Sequence, residues 1–359
     1  MATAQQLTSL ACGLTERGHE VTVITSDRGY DDPSVRFPGR ETWKGIDVIR
    51  IPSLGLGKRS KWRRALNFAS FLVVCSLRLL SLPRFDSVVA LTSPPLISLL
   101  GAIFVQLKGG RFFFWVMDLN PDEAIAAGWL KADSFAARTL NRLLSYSLRH
   151  AERVIVLDRF VKQRIQAKGI SPERIEILSP WALTSAARFD EKGREAFRER
   201  HGLGESFVVM YSGNHSPCHP LDTLLVAAER LRSRVDIRFL FVGGGSEQAK
   251  VADFASRNRL RNVQCLPYQS LEELSGSLSA ADLHVAVMGD PFVGIIHPCK
   301  VYNILGVGAP LLYIGAQESS LADIASQIEK RYAVYQARHG DADRVADHIL
   351  AAAAVGSSV

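Results

Sequence analysis

The chain has 359 residues, 47% of them hydrophobic and 22% charged, which gives room for two α/β cores and excludes a disordered or fibrous protein. Five cysteines (Cys12, Cys75, Cys218, Cys265, Cys299) are scattered, odd in number and never spaced as CxxC, which argues against a disulfide framework or structural zinc and fits a reducing cytoplasm. The net charge of +7 is uneven, because residues 1–180 hold 25 Lys and Arg against 16 Asp and Glu.

The opening residues read as an amphipathic helix over 2–17, closed by Gly18, and not as a secretory signal. Strands are predicted at 20–25 and 47–51. The densest basic cluster follows, with Lys58, Arg59, Lys61, Arg63 and Arg64 around Trp62. A basic, Trp-bearing cluster before an apolar helix suits an anionic membrane surface, and no nucleic-acid motif accompanies it. A long helix is predicted over 63–80. The segment 65–82 approaches spanning length but contains Asn67 and Arg78, so it reads as a buried helix, with a helix lying on a membrane surface as the alternative. Strands at 87–91, 111–117, 153–157 and 175–178 alternate with helices at 96–108, 135–150 and 160–168. Residues 181–205 are mixed and charged, as in a linker with a short helix. The rhythm then resumes with strands at 207–211, 238–242, 263–266, 283–287 and 310–314. Apolar strands separated by helices imply parallel sheets covered on both faces. The expected organisation is one domain over 1–180, a linker over 181–205, and a second domain over 206–359.

Ligands of open parallel sheets bind beyond the carboxyl ends of the strands. Two loops at such ends stand out. One runs from Gly294 through His297, Lys300, Tyr302 and Asn303 to Pro310. The other is Tyr211-Ser-Gly-Asn-His-Ser-Pro-Cys-His-Pro220. A helix N-terminus attracts anions and a lysine there suits phosphate, so the pair points to a nucleoside diphosphate. Phe241-Val-Gly-Gly-Gly245 offers close backbone approach at Gly243 and Gly244. Tyr268, after the next strand, could stack on a base, although a turn tyrosine would look the same. In the first half, Asp118-Leu-Asn-Pro-Asp-Glu123 ends an apolar strand, where acids need a partner or a use. Asp118 and Asp122 are the candidate catalytic groups; helix capping is the alternative for Asp122. The histidines show no metal-ligand spacing.

In this order along one chain, Leu14–Thr25, Val88–Pro95, Met117–Glu123, Tyr211–Asn214, Phe241–Gly245, Ala280–Leu283 and Pro298–Pro310 resemble the GT-B glycosyltransferases of the family 4 type, in the branch acting on bacterial cell-surface polysaccharides. The resemblance covers nearly the whole chain. It implies two Rossmann-like domains facing a cleft, the first for the acceptor and the second for a UDP- or GDP-sugar. It also implies a retaining reaction, no catalytic metal or cofactor, and a saccharide acceptor, lipid-linked at the inner face of the membrane. Two departures bear on this. The family's phosphate-gripping Arg and Lys fall on Asn214 and His219. Its two sugar- and ribose-binding acids fall on Ile295 and Asn303, which leaves the sugar to backbone near Gly294 and to His297. The family's first strand and glycine loop are also expected to be missing, so that neighbouring strand edges stay unpaired and this chain alone is poorly soluble or inactive. A sugar-nucleotide epimerase of the same architecture and a noncatalytic nucleotide-sugar-binding paralogue are the alternatives.

Overall fold

The computed structural model describes residues 2–29, 34–56, 61–180 and 187–356. Lys58 and Arg59 lie outside these, as do the side chains of Lys61 and Arg64. The chain divides into two compact units, Met1–Leu157 with Val161–Ser179, and Asp158–Phe160 with Pro180–Val359.

The first unit runs α1 (Ala2–Glu16), β1 (Thr22–Ser26), β2 (Arg40–Trp43), β3 (Ile46–Ile51), α2 (Lys61–Ser81), β4 (Ser87–Ala90), α3 (Ile97–Lys108), β5 (Arg111–Trp115), α4 (Asp122–Ala126), α5 (Phe135–His150), β6 (Arg153–Val156), α6 (Arg159–Ala167, its first two residues grouping with the second unit) and β7 (Ile175–Ile177). Its strands form two sheets, β1-β3-β2 and β4-β5-β6-β7. β2 is antiparallel to β3 and escapes the sequence pattern, being short and exposed. Its hairpin turns through Lys44 and Gly45, both at positive φ, the geometry that matches strand twist in a two-residue loop. β1 pairs only with β3, and β4 only with β5, so each keeps an edge without a strand partner among the described residues. Ile24 of β1 and Val88 of β4 nevertheless pack against one core, built from Ile49, Ile51, Phe71, Cys75, Leu82 and Phe104. Phe71 and Cys75 show that only one face of α2 is buried; the expectation of a wholly buried helix fails because its other face is open. No helix among the described residues is long and apolar enough to cross a membrane.

The second unit continues with α7 (Glu191–Arg200), β8 (Phe207–Asn214), α8 (Asp222–Arg230), β9 (Ile237–Gly244), α9 (Gln248–Arg257), β10 (Val263–Leu266), α10 (Leu274–Ser279), β11 (Leu283–Val287), α11 (Lys300–Val307), β12 (Leu311–Ile314), α12 (Ser320–Ile328), β13 (Val334–Ala337) and α13 (Ala342–Gly356). One six-stranded sheet results, in the order β10-β9-β8-β11-β12-β13, every pairing parallel. The strands are apolar on both faces: β11 is wholly buried, and Val209, Tyr211, Phe239, Phe241 and Val285 form a core with α8 and α13.

Residues 187–205 read as linker because of their charge, yet they group with the second unit. The reason is Asp282, which accepts hydrogen bonds from Arg194 (2.7 Å) and Arg198 (3.2 Å) of α7 and from the Val208 N–H (2.7 Å). Two half-buried guanidinium groups would strand their charge without it. Replacing Asp282 by Ala is expected to destabilise the second unit by about 3 kcal/mol, the scale for breaking a buried ion pair from one side. Denaturant titration checks this; a loss below about 1 kcal/mol would mean that water replaces the carboxylate.

Candidate functional site

In the second unit the chain leaves β8 toward β9 on one side, while β11 lies on the other. The crevice beyond the carboxyl ends of β8 and β11 is therefore the topological switch point, where such sheets take ligands. Gly213 and Gly243 are the next-to-last residues of β8 and β9, at φ +142° and +132°. A Cβ on Gly243 would collide with the Gly213 carbonyl, and one on Gly213 would meet Lys300 at 3.4 Å. Glycine is required at both positions by positive φ, and at Gly243 also by the approach of the Gly213 carbonyl.

Lys300 opens α11, and its Nζ donates to the Tyr211 hydroxyl at 2.6 Å while lying 4.0 Å from the centre of the Tyr211 ring. Tyr211 in turn donates to the Asn214 carbonyl at 2.7 Å. The ammonium ion has no carboxylate partner among the described residues. Burial pulls Lys300 down to about 7 and pushes the Tyr211 phenol well above its usual value. Two histidines share the crevice. His219 shares a 2.7 Å hydrogen bond with the Val287 carbonyl through Nδ1, which fixes Nδ1 as the donor. Burial, then the nearby Lys300, depresses its pKa far below the ordinary imidazole value, so it is neutral and its Nε2 is an acceptor. His215 is buried against Tyr211, with neither ring nitrogen hydrogen-bonded, and is held low by burial and then Lys300. The crevice thus gathers basic groups and no acid. A dianion would find charge from Lys300 and none from His219.

Around this crevice Asn214 is exposed, and Asn303 is half-buried with no side-chain partner among the described residues. The exposed ring of Tyr268 lies along Gly243 and Gly244, its hydroxyl donating to the Gly244 carbonyl at 3.0 Å. Ile295 is core, beside the tight turn at Gly294. His297 is buried between Asp158 (Nδ1 to Oδ2, 2.8 Å) and the Tyr302 hydroxyl (Nε2, 3.0 Å). Both ring nitrogens are taken up by protein groups, so His297 braces the loop leading to Lys300. Sequence reasoning gave no role to Asp158, Tyr211 or His215. Tyr211, inside the same Tyr-Ser-Gly-Asn run as Gly213, was the findable one.

In the first unit, Asp118 follows β5, and its N–H donates to Thr92 Oγ1, after β4, at 3.2 Å. It too lies at the carboxyl ends of parallel strands. Burial, then Glu123, raises its carboxyl to about 7. Asp122 begins α4 and pairs with Lys168 at 2.9 Å, so its charge is spent within the protein. Among the described residues no three His, Cys, Asp or Glu side chains are grouped to hold a metal ion.

A six-stranded parallel sheet with a glycine- and lysine-lined switch point, in a chain carrying a second α/β unit of mostly parallel strands, is the architecture of GT-B glycosyltransferases. The chain belongs to the glycosyl transferase 4-like family, whose domain matches residues 2–181. It is similar to WcaI of Escherichia coli (strain K12), named for glycosyl transfer in colanic acid biosynthesis, at 26% identity over 311 residues, 82% of this chain and 75% of that protein. Sucrose-phosphate synthase (tll1590) from Thermosynechococcus elongatus shares the fold with a TM-score of 0.72 at 14% identity, covering 97% of this chain and 83% of that one. Anabaena Alr3699/HepE, solved in complex with UDP and glucose, does so with a TM-score of 0.62 at 15% identity, covering 86% and 77%.

The Lys300 environment sets a pH dependence. An unfolded lysine holds its proton to about 10.5, whereas Lys300 releases it near 7. Between these values the unfolded chain binds more protons, so this group makes stability rise with pH. Lys300→Met should remove that slope and raise the melting temperature most at neutral pH and below. Melting curves of both proteins from pH 6 to 10 check it; parallel curves would refute it.

Proposed function

We propose that this chain transfers a sugar from a nucleoside-diphosphate donor to a lipid-linked saccharide at the inner face of the membrane, in cell-surface polysaccharide biosynthesis, with retention at the anomeric carbon. The observation that carries the reading is Lys300, an ammonium without a counter-ion among the described residues, held against glycine backbone at the switch point. A diphosphate supplies the missing charge. The UDP bound to HepE and the colanic acid role in WcaI's name support the donor class and the pathway class.

In this reading the bond between the anomeric carbon and the diphosphate oxygen breaks, and negative charge grows on the leaving phosphate. Lys300 meets that charge in a site already dehydrated, where a fixed cation is worth most. Asn214 adds amide hydrogen bonds, Asn303 one toward the ribose diol, and Tyr268 a stacking face for the base. The acceptor hydroxyl oxygen forms the new bond to the anomeric carbon. Its proton passes to the Asp118 carboxylate, whose affinity for a proton near 7 suits a general base at neutral pH.

Calorimetric melting with a panel of UDP- and GDP-sugars tests the donor site, because a ligand of the native state raises its transition by mass action. A selective shift is expected, and silence from every donor would overturn the donor site; a shift without turnover would favour the noncatalytic paralogue. Donor affinity should weaken by up to about tenfold per pH unit above about 7, as Lys300 loses its proton, and Lys300→Met should bind weakly at every pH. Asp118→Asn should lower turnover by about 10²-fold or more with donor affinity unchanged. Wild-type kcat/KM should therefore peak near pH 7, while kcat at saturating donor should climb with pH to a plateau above about 7; a flat kcat profile would remove Asp118 from the base role.

A further inference from the structure

The outer face of α2 reverses the usual arrangement of a surface helix. Trp62, Leu66, Ala69, Val73, Leu77 and Leu80 follow one another at steps of three and four residues, so they share one stripe. All are exposed, Val73, Leu77 and Leu80 at 60% or more. The opposite face, with Phe71 and Cys75, already fills the core. The stripe is therefore surplus to folding. It continues onto α3, where Leu107 (67%) and Ile103 are exposed. Lys108 ties the two helix ends together by donating to the Leu80 carbonyl at 3.1 Å. Leu54 and Leu56, also exposed, are held to α2 through Ser70 (3.0 Å) and Asn67 (3.2 Å).

Charge identifies the occupant. From Val48 to Met117 the chain carries ten Lys and Arg and a single acid, Asp86. Of these, Arg63 stands at the start of the stripe and Arg84 and Lys108 at its finish, while Arg50 pairs with Glu41 and Arg111 with Glu152. Arg63 lies 5.4 Å from the Trp62 ring, a pairing suited to the boundary between headgroups and acyl chains. A 21-residue helix is about 30 Å long, too basic along its flanks to cross and too apolar on its outer face for water.

We propose that the α2 stripe, with Ile103 and Leu107 of α3, lies in the surface of an anionic bilayer, the apolar residues among the acyl chains and the flanking Lys and Arg on lipid phosphates. This rests on the reading of a membrane-held acceptor and gives that reading its docking surface.

The test is cosedimentation with vesicles of phosphatidylcholine alone and of phosphatidylcholine with one-third phosphatidylglycerol. Wild-type protein should pellet with the anionic vesicles and much less with the neutral ones, and salt should weaken binding. The triple variant Val73→Glu/Leu77→Glu/Leu80→Glu, altered only at exposed positions, should keep its melting temperature and lose at least tenfold in binding. Arg63→Glu/Lys108→Glu, which leaves the stripe intact, should lose binding to the anionic vesicles alone. Equal pelleting of wild type and triple variant overturns the proposal. So does a concentration-dependent dimer that the triple variant abolishes, which would make the stripe an interface between copies. Donor binding in the triple variant is read separately, so failure of docking and failure of the transferase reading are distinguishable.

Discussion

The second unit is organised around one unneutralised cation. A buried ammonium normally either finds a carboxylate or gives up its proton. Lys300 has no carboxylate partner among the described residues and is held by Tyr211 through its hydroxyl and ring. Everything nearby follows from that. His215 and His219 are kept neutral by burial and then by its field, and the Asp158–His297–Tyr302 chain fixes the loop that delivers it. The cost of burying this charge is what draws the Lys300 pKa down to about 7.

The alternation of apolar strands and helices was legible because parallel strands buried on both faces read as continuous apolar runs, as Leu283–Val287 does. The strands that escaped, Arg40–Trp43 and Val334–Ala337, lack that run: one lies exposed at an edge and the other is half-polar. The supposed linker misled for a different reason. Arg194 and Arg198 look like solvated charge until Asp282, more than eighty residues away, is placed between them. Long-range pairing of this kind leaves no local trace.

The site was legible to the extent that glycine and lysine spacing is. Gly213, Gly243 and Lys300 converge as their positions after successive strands imply. The histidines were harder. Whether His219 carries charge is decided by burial and then by Lys300, which is not adjacent to it in sequence. His297 resembled a ligand group until Asp158, after β6, occupied its Nδ1. With Asn214 and a neutral His219 at the positions where Arg and Lys were expected, the charge at this switch point comes from Lys300.

The split sheet of the first unit has a consequence for how this molecule reports on itself. Seven short strands divided into groups of three and four have less ladder to hold them than six strands in one continuous sheet, so the first unit should open at lower temperature than the second. Trp43, Trp62, Trp115 and Trp129 belong to the first unit, and the fifth tryptophan, Trp181, falls in the span of the second but outside the described residues. Intrinsic fluorescence is therefore weighted four to one toward the first unit. A change confined to the sheet of the second unit would move only a small part of the tryptophan signal.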